Sequence, residues 1–162
     1  MKKEKLLTLF QIIGAILFFG GILASIVMNT TAGNSSEVNL VFYHREFVTK
    51  IVYFLITPGM WIAILTTFIM ILVNKIKIFK NFGWALIVLL MLGILINGTF
   101  ILSPLVKEVY LLAKEGFDSG ILPETYHPMK SGEDMYGAIN FFMGLIVLVS
   151  FLFLNSRSPS SV

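Results

Sequence analysis

The chain has 162 residues, 57% of them hydrophobic and 13% charged, with a mean hydropathy of +0.89. That is more apolar surface than a water-soluble domain can bury, so a membrane protein is expected. The net charge of +3 sits in membrane-edge lysines rather than in a nucleic-acid footprint, and the absence of cysteine excludes disulfides, thiolate metal sites and cysteine nucleophiles.

Four stretches lack any Asp, Glu, Lys, Arg or His: Leu6–Met28, Ile51–Val73, Trp84–Leu102 and Met135–Leu154. At ~1.5 Å per residue each spans roughly 28 to 35 Å as a helix, enough for a hydrocarbon core of about 30 Å. Nothing alternates apolar and polar over the lengths a membrane β-barrel requires. The expected fold is an all-α, up-down four-helix membrane bundle forming one domain over residues 1–162, with short interfacial helices in the outer loops.

The first stretch follows the basic leader "MKKEK". Its 23-residue apolar core is longer than the ~7 to 15 of a secretory signal, and "SIVMNTT" offers no small-x-small cleavage site, so it reads as a membrane span. Gly20, Gly21, Ala24 and Ser25 give it small-xxx-small faces, which admit close packing within the bundle or against a further subunit. The following loop carries two glycosylation sequons, at Asn29 and Asn34, and then "YHREF", whose Arg45 and Glu46 read as solvated or headgroup-facing.

The second span is broken by Thr57-Pro58-Gly59. Proline has no N–H, so the carbonyl of Phe54 loses its helical partner, and in lipid that group must be satisfied nearby, with Thr57 the local donor at hand. The short lysine-rich connection 74–83 makes the second and third spans antiparallel neighbours. Asn97 lies near the end of the third span and Asn140 near the start of the fourth, both about 8 Å below the same surface and at the depth of Pro58. Thr57, Pro58, Asn97 and Asn140 are therefore expected to form one polar intramembrane layer, with the amides bonding across helices or lining a small outward cavity. Gln11 lies at the opposite depth.

Between these spans, "SPLVKEVYLLAKEG" places Leu105, Val106, Val109 and Leu112 on one face; it either extends the third helix past Pro104 or lies along the membrane surface. Tyr43, Tyr53 and Trp84 suit membrane boundaries, whereas Trp61 sits too deep. His127 and Met129 are the soft-ligand candidates for copper, against the commoner reading of a loop histidine beside a membrane-edge methionine.

Seven basic residues, Lys2, Lys3, Lys5, Lys75, Lys77, Lys80 and Arg157, fall on the side of the termini with one acid; five fall on the other side with eight acids. The positive-inside rule then places both termini in the cytoplasm and the protein in the cell membrane.

"LFQIIGAILFFGGILAS" in the first span, "REFVTKIVYFLITPGMWIAILTT" in the second and "GWALIVLLMLGILI" in the third resemble the superfamily of small integral membrane proteins that includes the copper-resistance D proteins and the J-type protoporphyrinogen oxidases. The resemblance implies this fold and, for the haem-binding members, a histidine in the first helix. Gln11 stands at that position here, and an amide is no substitute for an imidazole ligand to haem iron. No cofactor and no catalytic residue are expected. The functional expectation is a non-enzymatic membrane subunit or small carrier with an outward polar layer; the alternative is a haem- or copper-associated redox or metal-handling protein like the family it resembles.

Overall fold

The computed structural model describes residues 3–32, 35 and 37–156, and these are helical almost throughout. Six α-helices follow in order: α1 (Lys3–Ala32), α2 (Val38–Ile51), α3 (Thr57–Val73), α4 (Phe82–Ile96), α5 (Ser103–Ser119) and α6 (Tyr126–Ser156). A π-helical turn at Val52–Ile56 joins α2 to α3, and another at Asn97–Leu102 joins α4 to α5. The chain thus forms four long rods, each long and apolar enough to cross a membrane. They contain the four expected spans, and the all-α four-helix bundle is the observed architecture.

Local chemistry sets the ends of these rods. Asn81 caps α4 by accepting from the backbone N–H groups of Gly83 and Trp84, at 3.1 and 3.4 Å. Gly120 ends α5 in the left-handed region (φ 79°) that a Cβ disfavours, its N–H reaching the carbonyl of Gly116 at 2.8 Å. Both π turns stop immediately before an X-Pro step, Thr57-Pro58 and Ser103-Pro104. In the first, the wider turn lets the Thr57 N–H reach the carbonyl of Val52, and in the second the Ser103 N–H reaches that of Gly98. The expected side-chain bond from Thr57 is not formed: among the described residues its hydroxyl makes no hydrogen bond. A shift in backbone register accommodates the proline instead.

The second and third rods have 36 and 38 residues, roughly 55 Å at ~1.5 Å each, far more than a hydrocarbon core of about 30 Å. Of the two arrangements open for residues 104–115, the structure has the first, with α5 continuing α4. Segment 38–51 likewise runs directly into the second span. The end of the bundle bearing α2, α5 and the start of α6 is called distal below; the end bearing the start of α1 and the close of α6 is called terminal.

Each end has its own core. In the spanning part, Phe18, Met60, Ile64, Ile71, Trp84, Ile87, Met91, Ile94 and Val147 form one buried cluster. Trp84 is in this core, edge-on to Phe151 with ring centroids 6.0 Å apart. In the distal crown, Val41, Val109, Ala113 and Tyr126 form a second cluster.

The rods are not evenly packed. α1 lies closely on α3, and α4 on α6, while α1 and α6 barely touch. At the α1–α3 crossing a Cβ on Gly59 would stand 2.5 Å from the Phe18 nitrogen and 2.9 Å from the Gly14 carbonyl oxygen, so backbone meets backbone. Gly21 continues this contact against Ile56, and Ser25 also faces inward. Of the two small-residue faces, the one with Gly21 and Ser25 is thus used within the chain. Gly20, with open space around it, points away from the bundle.

Candidate functional site: a buried ion pair and a distal cavity

Helix α6 presents Tyr126, Glu133 and Asn140 at intervals of seven residues, which puts all three on one inward face. Opposite, α2 presents Val41, His44, Arg45 and Val48. The Arg45 guanidinium, fully buried, pairs through Nη2 with Oε2 of Glu133, which is also buried. Arg45 is therefore neither solvated nor at a headgroup, contrary to the sequence reading. Glu46 does lie outward, in a 2.7 Å contact with Lys50 one helical turn away. The covering elements α2, α5 and α6 bury Arg45 because it lies on the same face of α2 as two core valines.

The pair does not use all the polar atoms around it. Nε and Nη1 of Arg45, both ring nitrogens of His44 and the Tyr126 hydroxyl are buried without a hydrogen-bond partner among the described residues. Burial, reinforced by the positive charges of Arg45 and Lys130, lowers the His44 pKa to about 4, with Asp134 opposing. Burial raises the Tyr126 hydroxyl to about 12. It also pushes the Glu133 carboxyl above its ordinary range, against the pull of Arg45. Nearby, the buried Lys130 ammonium holds Asp134 at 2.7 Å, and Asn29 Nδ2 donates to the same carboxylate at 3.2 Å, tying α1 to α6.

Below this cluster lies a cavity of about 450 Å³ between α1, the first π turn, α5 and α6. Glu133, Asp134 and Asn29 stand at its upper end and Asn140 lower down; its other walls are mainly apolar. Asn97 Nδ2 donates to Asn140 Oδ1 at 2.8 Å and to the Tyr136 carbonyl at 3.0 Å. The two amides of the expected layer are thus joined. Thr57 and Pro58 are half-buried and make no polar contact with the amides; Met60 is the α3 residue that comes close, next to Gly98 and Asn140. The layer is smaller than expected because the π turn resolves the proline locally.

Gln11 lies in the terminal half, where its Nε2 donates to Thr67 Oγ1 at 3.1 Å. His127 is exposed and Met129 packs against the crown core, and no group of three metal-binding side chains occurs among the described residues. Sequence reasoning missed His44, Arg45, Tyr126 and Glu133 as a unit. One signal was present: Glu133 and Tyr126 lie one and two heptads before Asn140, the residue already singled out.

Fold and site together define a four-rod helical membrane protein with a buried ion pair above a half-open cavity. No family model, curated protein or solved structure matches the chain.

Proposed function

We propose that this is a multi-pass protein of the cell membrane that acts without chemistry of its own, as a small carrier or ligand-binding subunit, and that its working surface is the distal cavity. The clustered lysines of the leader and of the 74–83 connection support an orientation with both termini cytoplasmic and the cavity toward the outer side. One observation carries the reading. The cavity, at about 450 Å³, lies within the ~300 to 1,000 Å³ of small-molecule sites, and it combines apolar walls with a few convergent polar groups.

Gly137 lines the cavity, and a Cβ there would have nothing within 4 Å. A Gly137→Phe side chain therefore starts from open space beside the cavity and is expected to obstruct it. Native mass spectrometry from lipid nanodiscs is the test: wild type should retain a small-molecule adduct that Gly137→Phe loses at unchanged thermal stability. Identical adduct patterns in the two proteins would overturn the reading.

The second reading is a haem- or copper-associated protein of the superfamily that the sequence resembles. Its support beyond the resemblance is His44, whose two buried nitrogens have no partner. A Soret band retained by the purified protein when haem is supplied, and lost in His44→Ala, would favour it.

A further inference from the structure

A second cavity, of about 280 Å³, lies on the terminal side of the first. Thr8, Gln11, Ala15, Val147 and Leu152 are among the residues around it, so it occupies the same α1–α6 seam. Phe18 borders both cavities. At that level the seam narrows: a Cβ on Gly144 would come within 3.0 Å of the Phe18 ring and 3.1 Å of the Phe19 ring, and Phe19 packs edge-on against Phe141 at 6.0 Å. Two cavities thus lie end to end, with Phe18 on the boundary between them. From Thr8 to Asn29 the seam runs roughly 30 Å at ~1.5 Å per residue, about the thickness of one hydrocarbon core. Its wall residues Ile12, Ile26, Phe142 and Leu152 are exposed on the bundle surface, so it is accessible from the lipid side.

The polar end of this seam is specific in kind. Ser25 Oγ and Asn29 Oδ1 are buried without a hydrogen-bond partner among the described residues, and the Asn140 amide nitrogen donates to none of these residues. The charges beside them are already matched, Arg45 by Glu133 and Lys130 by Asp134. A charged head would enter with no counter-ion and would lose its hydration. A neutral head would meet a hydroxyl, a carbonyl and an amide in need of partners.

We propose, building on the distal cavity as a binding site, that the seam holds a single-chain, uncharged amphiphile taken from the surrounding bilayer. Its hydroxyl or carbonyl head lies among Ser25, Asn29 and Asn140, and its hydrocarbon tail passes Phe18 into the terminal-side cavity. Passage of the chain requires the Phe18 and Phe19 rings to swing off Gly144, which they crowd at 3.0 and 3.1 Å from its Cβ position.

Photoactivatable monoacylglycerols with the reactive group at the chain end test this on the full chain in nanodiscs. A hexadecanoyl probe should label α1 between Thr8 and Ala15 and α6 between Val147 and Leu152. An octanoyl probe should label only the distal cavity. Hexadecanoate and hexadecylamine should compete poorly, and hexadecanol well. Gly144→Leu should lower hexadecanoyl retention by about tenfold or more and octanoyl retention by much less, because it chiefly excludes the methylenes beyond the narrowing. If Gly144→Leu fails to fold, the wild-type labelling pattern alone decides. Hexadecanoyl labels spread over outward positions such as Leu65 and Leu89, or equal competition by the charged analogues, would overturn the proposal. Octanoyl binding without tail labelling beyond Phe18 would overturn it and leave the distal cavity standing as a site; absence of binding by either probe would overturn both.

Discussion

The spanning part and the distal crown use the same rods but bury different things. In the spanning part α1 and α3 meet backbone to backbone at Gly14, Gly59 and Ala63, and the interior is mainly hydrocarbon, its buried polar groups being the uncharged Thr66, Thr67, Asn97 and Asn140. The crown keeps only a small apolar cluster and encloses an ion pair, a histidine and a tyrosine. Lipid gives no hydrophobic drive for helices to associate, so the spanning part relies on close packing of small residues. The crown extends past the spans, where burying apolar groups is favourable, and that gain offsets the desolvation of its charges. Close packing and buried charge are therefore separated along the bundle axis.

The ion pair is the most sensitive point of the crown. Replacing Arg45 by Leu leaves Glu133 buried without a counter-ion, and such losses cost about 3 to 5 kcal/mol. Chemical denaturation in mild detergent should show this as a large fall in midpoint. The double variant Arg45→Met, Glu133→Leu should recover most of the loss, since a packed apolar pair replaces a buried ionic one at little net cost. A double variant no better than the single one would mean that the pair positions something beyond itself.

In the spanning part the equivalent test is steric. Gly59→Ala puts a Cβ against the Phe18 nitrogen and Gly14 oxygen, atoms that cannot yield without separating α1 from α3. A loss of about 1 to 3 kcal/mol is expected from overpacking. Gly20→Ala, one face away and in open space, should be neutral or slightly stabilising in the same assay. Equal effects at the two glycines would contradict the α1–α3 contact.

Acid should act on the crown alone. His44 has its folded pKa lowered from 6.5 to about 4, so the unfolded chain takes up the proton first. The stability associated with neutral His44 is present above about pH 6.5 and is lost as the pH falls toward 4. At ~1.36 kcal/mol per pKa unit, the fall from 6.5 to about 4 corresponds to a loss on the order of 3 kcal/mol. Glu133, with its pKa raised, acts in the opposite sense, because the folded state takes up that proton more readily. His44→Asn should therefore flatten the acid limb of a melting-temperature profile between pH 6.5 and 4, and Glu133→Gln should steepen it. Hydrogen exchange should place the acid-induced opening in α2 and the start of α6, leaving α3 and α4 protected.

The two parts also differ in how well the sequence reveals them. Runs without a charge identify the spans directly, because in lipid each residue is tested against the same solvent. The joined amides are legible for the same reason: Asn97 and Asn140 are costly in hydrocarbon and occur at matching depths. The crown is different. Arg45 sits in "YHREF" beside Glu46, and nothing in composition distinguishes the buried residue from the exposed one. What separates them is helical phase, since Arg45 shares a face with Val41 and Val48 whereas Glu46 faces Lys50. Phase becomes readable only once α2 is known to be continuous with the second span. The same continuity would have placed Glu133 and Tyr126 above Asn140. Pro58 misled for a related reason: the π turn that absorbs it is a backbone solution with no side-chain signature.

The smallest expected effect lies where the two parts meet. Asn97 Nδ2 serves two acceptors, Asn140 Oδ1 and the Tyr136 carbonyl, and Asn97→Leu removes both bonds at once. An interhelical bond in lipid averages about 0.6 kcal/mol, so losing both should cost roughly 1 to 2 kcal/mol of stability. Asn140 differs because it also lines the distal cavity. Asn140→Leu should show a similar loss of stability and, in addition, a loss of adduct in native mass spectrometry, whereas Asn97→Leu should keep the adduct. The double variant should cost less than the sum of the singles, because each single already breaks the shared bond. If Asn97→Leu abolished the adduct while leaving stability unchanged, the amide pair would belong to the cavity as a unit, and the boundary between a packed spanning part and a selective crown would move down to the level of Asn97.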